Sequence, residues 1–216
     1  MKRAALIIGL LLLAIIWGGP LFAADESSFT AHMLAHMGVV ATAAPLIAFG
    51  LAGTDWDFSR RSRLFSPLPA SLLELVVVWA WHAPALRALA ETSRVAAAAE
   101  QASFLVAGLI LWLSCIGHSD RDRNERSAAG AFGLLFTSVH MTLLGALLAL
   151  TPRPLYGAGE VTCLGMTLSA DQDQALGGVV MLFVGAAVYL AGGLALLARL
   201  LAAQDARGRT DRRLAR

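Results

Sequence analysis

Charge is scarce in this sequence. Asp, Glu, Lys and Arg make up 15% of its 216 residues, where soluble domains carry about a quarter. That shortage excludes an ordinary water-soluble domain. The formal net charge of +2, with no basic stretch interleaved with aromatics, excludes a nucleic-acid partner. Cysteine is nearly absent as well. Cys115 and Cys163 lie far apart with no Cys-x-x-Cys spacing, which excludes a disulfide framework and a zinc knuckle. No nucleophile stands at a useful spacing from a base, so no enzyme is expected. No strand-like alternation competes with the apolar runs.

Those runs are what the chain has in abundance. Hydrophobic residues make up 57% of it, and the mean hydropathy is +0.67. A bilayer core about 30 Å thick needs roughly 20 apolar residues per helix. Six stretches meet or approach that length: 4–22, 30–52, 69–90, 95–117, 128–150 and 174–202. The fold class expected is all-α, a polytopic transmembrane bundle of about six helices. The count is five if the first is a cleaved signal. Residues 1–24 form that hydrophobic helix or signal segment, 25–203 the bundle domain and 204–216 a basic tail. A cut after Ala24 would leave Phe22 at the −3 position, where a small residue is preferred. Retention is therefore the expected fate.

The basic residues orient the bundle. With the amino terminus inside, all 17 lysines and arginines fall on the cytoplasmic side except Arg87, Arg94 and Arg153. The tail "RGRTDRRLAR" is then cytoplasmic, near anionic headgroups. Small residues in the last stretch (Gly177, Gly178, Gly185, Gly192 and Gly193) allow close helix approach, because packing holds membrane helices together.

On this topology the histidines converge. His32 and His36 open the second stretch from outside, in "HMLAHM", and His82 ends the third, in "WAWHAP". At a rise of 1.5 Å per residue, His36 and His82 both lie about 9 Å below the outer surface and His140 about 15 Å. His32 and Asp173 sit near the rim, with Gln174 next to Asp173. His118 falls in a charged cytoplasmic loop and is set aside. Ionisable groups in lipid usually face a cavity or the bundle interior. Residues four apart share a helical face, so His32 and His36 can grip one ion. Met33 and Met37 repeat the spacing about 100° round the helix. Imidazole with thioether, and no cysteine pair, favours copper over zinc. Met141 follows His140, and Met166 is a further soft group in the outer loop.

The blander readings are packing for the methionines, interface anchoring for Trp79 and Trp81, and a bond to a neighbouring helix for any one histidine. Glu74, two turns above the cytoplasmic face, either carries protons or pairs structurally.

The segments "HMLAHMGVVATAAPLIAFG", "WAWHAPAL", "EQASFLVAGLILW", "HMTLLGALLALTPRPLY" and "DQDQALGGVVM" occur in the order of the polytopic CtaG family of cytochrome c oxidase assembly factors. The chain resembles that family from about residue 29 to 185. The resemblance implies a bacterial inner-membrane protein that helps mature a haem-copper oxidase through its copper. Oxidase subunits or other assembly factors would be its partners. It places the polar pattern on His32, His36, His82, His140, Asp173 and Gln174. The family often has a histidine before x-x-Phe in the fourth stretch, where this chain has Gln101 beside Glu100. If that histidine is a ligand, the set here is altered or one shorter.

The leading expectation is thus Cu(I) held on the periplasmic side by His32, His36, His82 and His140, with Met37 or Met141 as soft partners. Asp173 would orient an imidazole through its second nitrogen. The alternatives are haem b ligated axially by His36 and His82, or a proton or metal transporter using Glu74, Glu100 and His140.

Overall fold

The computed structural model describes residues 1–19, 28–57, 59, 65–117, 123–163 and 165–214, without the side chains of 123, 124, 206–208 and 210–214. The possible cut after Ala24, His118, and Arg60, Arg61, Arg63 and Arg121 lie outside these residues.

The chain is an all-helical, multi-pass membrane bundle, with seven helices among the described residues. In order they are α1 (Lys2–Gly18), α2 (Phe29–Leu51), α3 (Pro67–Trp81), α4 (Pro84–Thr92), α5 (Arg94–Ile116), α6 (Arg123–Leu150) and α7 (Ala170–Leu214). Helices α2, α5, α6 and α7 are each long and apolar enough to cross a bilayer, and α3 with α4 makes a fifth crossing if the pair acts as one span. The 17 residues of α1 cover about 26 Å, slightly short of the hydrocarbon core.

Two prolines shape the spans. The stretch 69–90, read from sequence as one helix, is broken: α3 and α4 meet at 70°. Pro84 has no N–H to continue the helix, and it pushes Ala83 into an extended conformation (φ −67°, ψ 131°). His82 sits at this corner. In α2, Pro45 follows a π-helical turn, Gly38–Ala43, between two α-helical segments. The Ala44 N–H bonds to the Val39 carbonyl, five residues back. In the same pattern Val40 would bond to Pro45, which has no N–H to give. The Val40 carbonyl instead accepts from Trp112 Nε1 of α5 at 3.1 Å, with the Tyr189 hydroxyl of α7 at 3.4 Å.

Glycines bring the backbones together. A Cβ at Gly145 in α6 would lie 2.8 Å from the Gly178 carbonyl oxygen in α7, and one at Gly178 would lie 2.6 Å from the Ala149 nitrogen. A Cβ at Gly50 of α2 would lie 2.6 Å from Leu6 Cβ of α1. Lys2 Nζ reaches the Ala52 carbonyl at 2.7 Å, so α1 and α2 form an antiparallel pair. Helix α2 also packs on α5 and α7, and α3 packs on α5 and α6.

One element was not expected from the sequence. A hairpin, β1 (Glu160–Cys163) with β2 (Met166–Ser169), pairs Glu160 with Ser169 and Cys163 with Met166. Gly165, at φ +83°, supplies a turn conformation open to glycine. The Ala170 N–H bonds to the Gly159 carbonyl at 3.0 Å, fastening the hairpin to the start of α7.

Candidate functional site

The amino end of α2, the α3–α4 corner, the start of α5 and the loop before the hairpin meet at one end of the bundle. Helix α2 begins at Ser28, whose hydroxyl accepts from the Ala31 N–H at 3.2 Å. A helix start leaves N–H groups without intrahelical partners, and here a second helix supplies them. Asp173 Oδ2 accepts from Phe29 N at 2.6 Å, and Oδ1 accepts from Ser28 Oγ at 2.8 Å and Thr30 N at 3.2 Å. Asp173, expected to orient an imidazole, is engaged instead in holding the helix that carries His32 and His36. Gln174 is a strut beside it. Its Oε1 accepts from Leu155 N at 2.6 Å and its Nε2 donates to the Leu148 carbonyl at 3.1 Å.

Three histidines come together beneath this cap. The ring centroids of His36 and His82 are 5.4 Å apart, those of His32 and His82 6.2 Å, and Phe104 lies 4.0 Å from His36. Their hydrogen bonding separates them. His82 Nδ1 lies 2.7 Å from the Val78 carbonyl, which can only accept, so Nδ1 carries the proton and Nε2 presents its lone pair. That Nε2, and both nitrogens of His36, have no hydrogen-bond partner among the described residues. His36 is 0% exposed and His82 6%.

His32 is differently placed. Its Nδ1 is 2.8 Å from Arg87 Nη1, and a guanidinium only donates. Nδ1 is therefore the acceptor, and Nε2 faces Glu100 Oε1 at 3.5 Å. Arg87 also lies 3.0 Å from Glu91 and 3.7 Å from Glu100. The sequence placed Arg87 among the outer loop cations, but the bend at Pro84 turns it inward and it is buried. Tyr156 closes the top. Its hydroxyl donates to the His82 carbonyl at 2.6 Å and its ring stacks on Phe29 at 4.5 Å. Burial pushes this phenol up to about 12, so it remains a donor at neutral pH. Neither Arg87 nor Tyr156 was a sequence candidate; the one available signal was Pro84, directly after the histidine.

The methionines face elsewhere. Met33 lies with Phe29 against Gly177 of α7, and Met37 and Met141 lie against Gly185. Consecutive residues on a helix point about 100° apart, so the thioether face of α2 meets α7 while its imidazole face meets α3, α4 and α5. His140 stands apart from the other rings: its ring contact is with Phe136 of its own helix, at 5.6 Å. The expected seven-residue set thus divides into an imidazole cluster, a thioether pair, a separate histidine and a helix cap. Among the described residues, no group of three or more His, Cys, Asp or Glu is arranged to hold a metal ion. Two imidazoles with free lone pairs are what the cluster offers.

Gln101, which stands where the family pattern often has histidine, is buried and accepts from Trp17 Nε1 at 3.3 Å. Trp81, expected at the lipid interface, donates to Ser103 Oγ at 2.8 Å and joins α3 to α5.

The sequence model of the cytochrome c oxidase caa3 assembly factors matches residues 1–203. The chain belongs to that family. The match takes in every helix and ends within α7, short of the basic tail. No curated protein and no solved structure matches the chain. As a caa3 assembly-factor family member, the chain carries its histidine cluster in a protein class that serves an oxidase built in the membrane.

Proposed function

We propose that this protein handles Cu(I) for a haem-copper oxidase of the caa3 type, as a non-enzymatic partner of oxidase subunits or other assembly factors. Membership in an assembly-factor family suggests the non-catalytic role. The observation that carries the copper reading is the pair of buried imidazoles, His36 and His82, with free nitrogens and rings 5.4 Å apart.

The Val78 carbonyl fixes the tautomer of His82, as a backbone carbonyl behind a metal-ligating histidine does. Two neutral imidazoles in an apolar pocket suit a soft monovalent ion better than a divalent one, since no anionic ligand offsets the second charge. His32 would join as a third ligand on release from Arg87. Met37 and Met141, one helical face round at Gly185, would be the next soft station. Haem b is less well supported. A porphyrin ligated by both rings would need the space beside them, where Phe104 packs with its ring centroid 4.0 Å from that of His36 and 6.3 Å from that of His82. The distribution of arginines supports a periplasmic cluster in the bacterial inner membrane, with the carboxyl terminus in the cytoplasm.

Cu(I) titration of the detergent-purified protein tests the reading. Near-stoichiometric binding is expected, lost in His36→Ala/His82→Ala and kept in His140→Ala. Equal binding by the wild type and the double variant would overturn it.

A further inference from the structure

A second set of buried polar groups lies deeper in the bundle. Glu74 of α3 is 0% exposed. Tyr189 of α7 donates to its Oε1 at 2.7 Å, and Oε2 has no hydrogen-bond partner among the described residues. Thr137 of α6 faces the same carboxyl. Its hydroxyl is buried, with no other hydrogen-bond partner among the described residues. The other elements around the carboxyl offer no cation among the described residues. From α2 comes the released Val40 carbonyl, which Tyr189 also approaches, and from α5 come Trp112 and the Cys115 thiol. Arg126 of α6 is directed at the Ser59 carbonyl, 2.9 Å away.

We propose that Glu74, Tyr189 and Thr137 form an intramembrane proton-binding site. An ionised carboxylate with no cation beside it is costly in lipid and in a dry interior, so Glu74 holds the proton. Tyr189 gives its hydrogen to Oε1, which makes Oε1 the carbonyl oxygen and Oε2 the hydroxyl. The site does not rest on metal at His36 and His82, and a failure of copper binding leaves it standing.

Infrared spectra of the full-length protein in lipid nanodiscs at neutral pH, before and after transfer to D₂O, test this. The wild type should show a protonated-carboxyl stretch that is absent in Glu74→Gln. In Tyr189→Phe, which keeps the carboxyl in place, the stretch should move to higher frequency as the carbonyl oxygen loses its donor. It should shift on deuteration. The absence of a band that depends on Glu74 would mean an ionised carboxylate and would overturn the proposal. So would a band that never deuterates.

Discussion

His32 and His36 stand one turn apart on α2 and meet different chemistry. Arg87 donates to His32, while His36 has no hydrogen-bond partner among the described residues. The spacing that puts two imidazoles on one helical face was plain in "HMLAHM". The identity of the group facing each was not, because Arg87 lies 55 residues away. Asp173 makes the same point. Its carboxylate, 144 residues from Phe29, binds the start of α2. Asp173→Ala should therefore lower stability by about 2 kcal/mol, the upper range for a lost helix cap. The exposed neighbour Asp171, whose carboxyl bonds to Ser169 and the first turn of its own helix, serves as comparison, and Asp171→Ala should cost clearly less. Thermal unfolding in detergent measures both, and equal midpoints would remove Asp173 from the capping role.

At the scale of elements, the apolar runs revealed the helices and concealed how they bend. Pro45 sits inside a run that reads as one span, and the helix absorbs it through a π turn. Pro84 in the third run breaks its helix by 70°. The difference is what each backbone finds nearby. The carbonyl released at Val40 is met by the Trp112 N–H of α5, whereas the chain at Ala83 turns aside and carries Arg87 with it. Glycine placement has a testable consequence at this scale. Gly145→Leu and Gly178→Leu would each drive a side chain into the facing backbone of α6 or α7, and overpacking costs about 1–3 kcal/mol. A Cβ at Gly18 meets nothing within 4 Å, so Gly18→Ala should be tolerated. Unfolding midpoints of the three variants should separate accordingly; a tolerated Gly178→Leu would contradict the close α6–α7 contact.

For the molecule as a whole, α1 and α2 form an antiparallel pair, and the hairpin lies at the same end as the histidine cluster. If α1 crosses the membrane, the chain crosses six times and both termini share a side. Substituted cysteines test this orientation in a background with Cys115 and Cys163 replaced by serine. Thr162→Cys, exposed on the hairpin, should react with a membrane-impermeant maleimide in spheroplasts of the expressing bacterium. Gln204→Cys should react only after lysis. The opposite pattern would put the histidine cluster in the cytoplasm and remove the periplasmic copper route.

The amino-acid sequence by itself determined the family, the helical class and the apolar runs long enough to cross a bilayer, since runs of that length are read directly from composition. It also exposed Glu74 as a group with no local partner. Only the tertiary structure decided which way each residue faces round its helix and what it meets there. Position along an unbroken helix runs along one axis and can be counted. Azimuth depends on packing between segments far apart in the chain, and so His36 pairs with His82 while Met37, His140 and Asp173 serve other contacts.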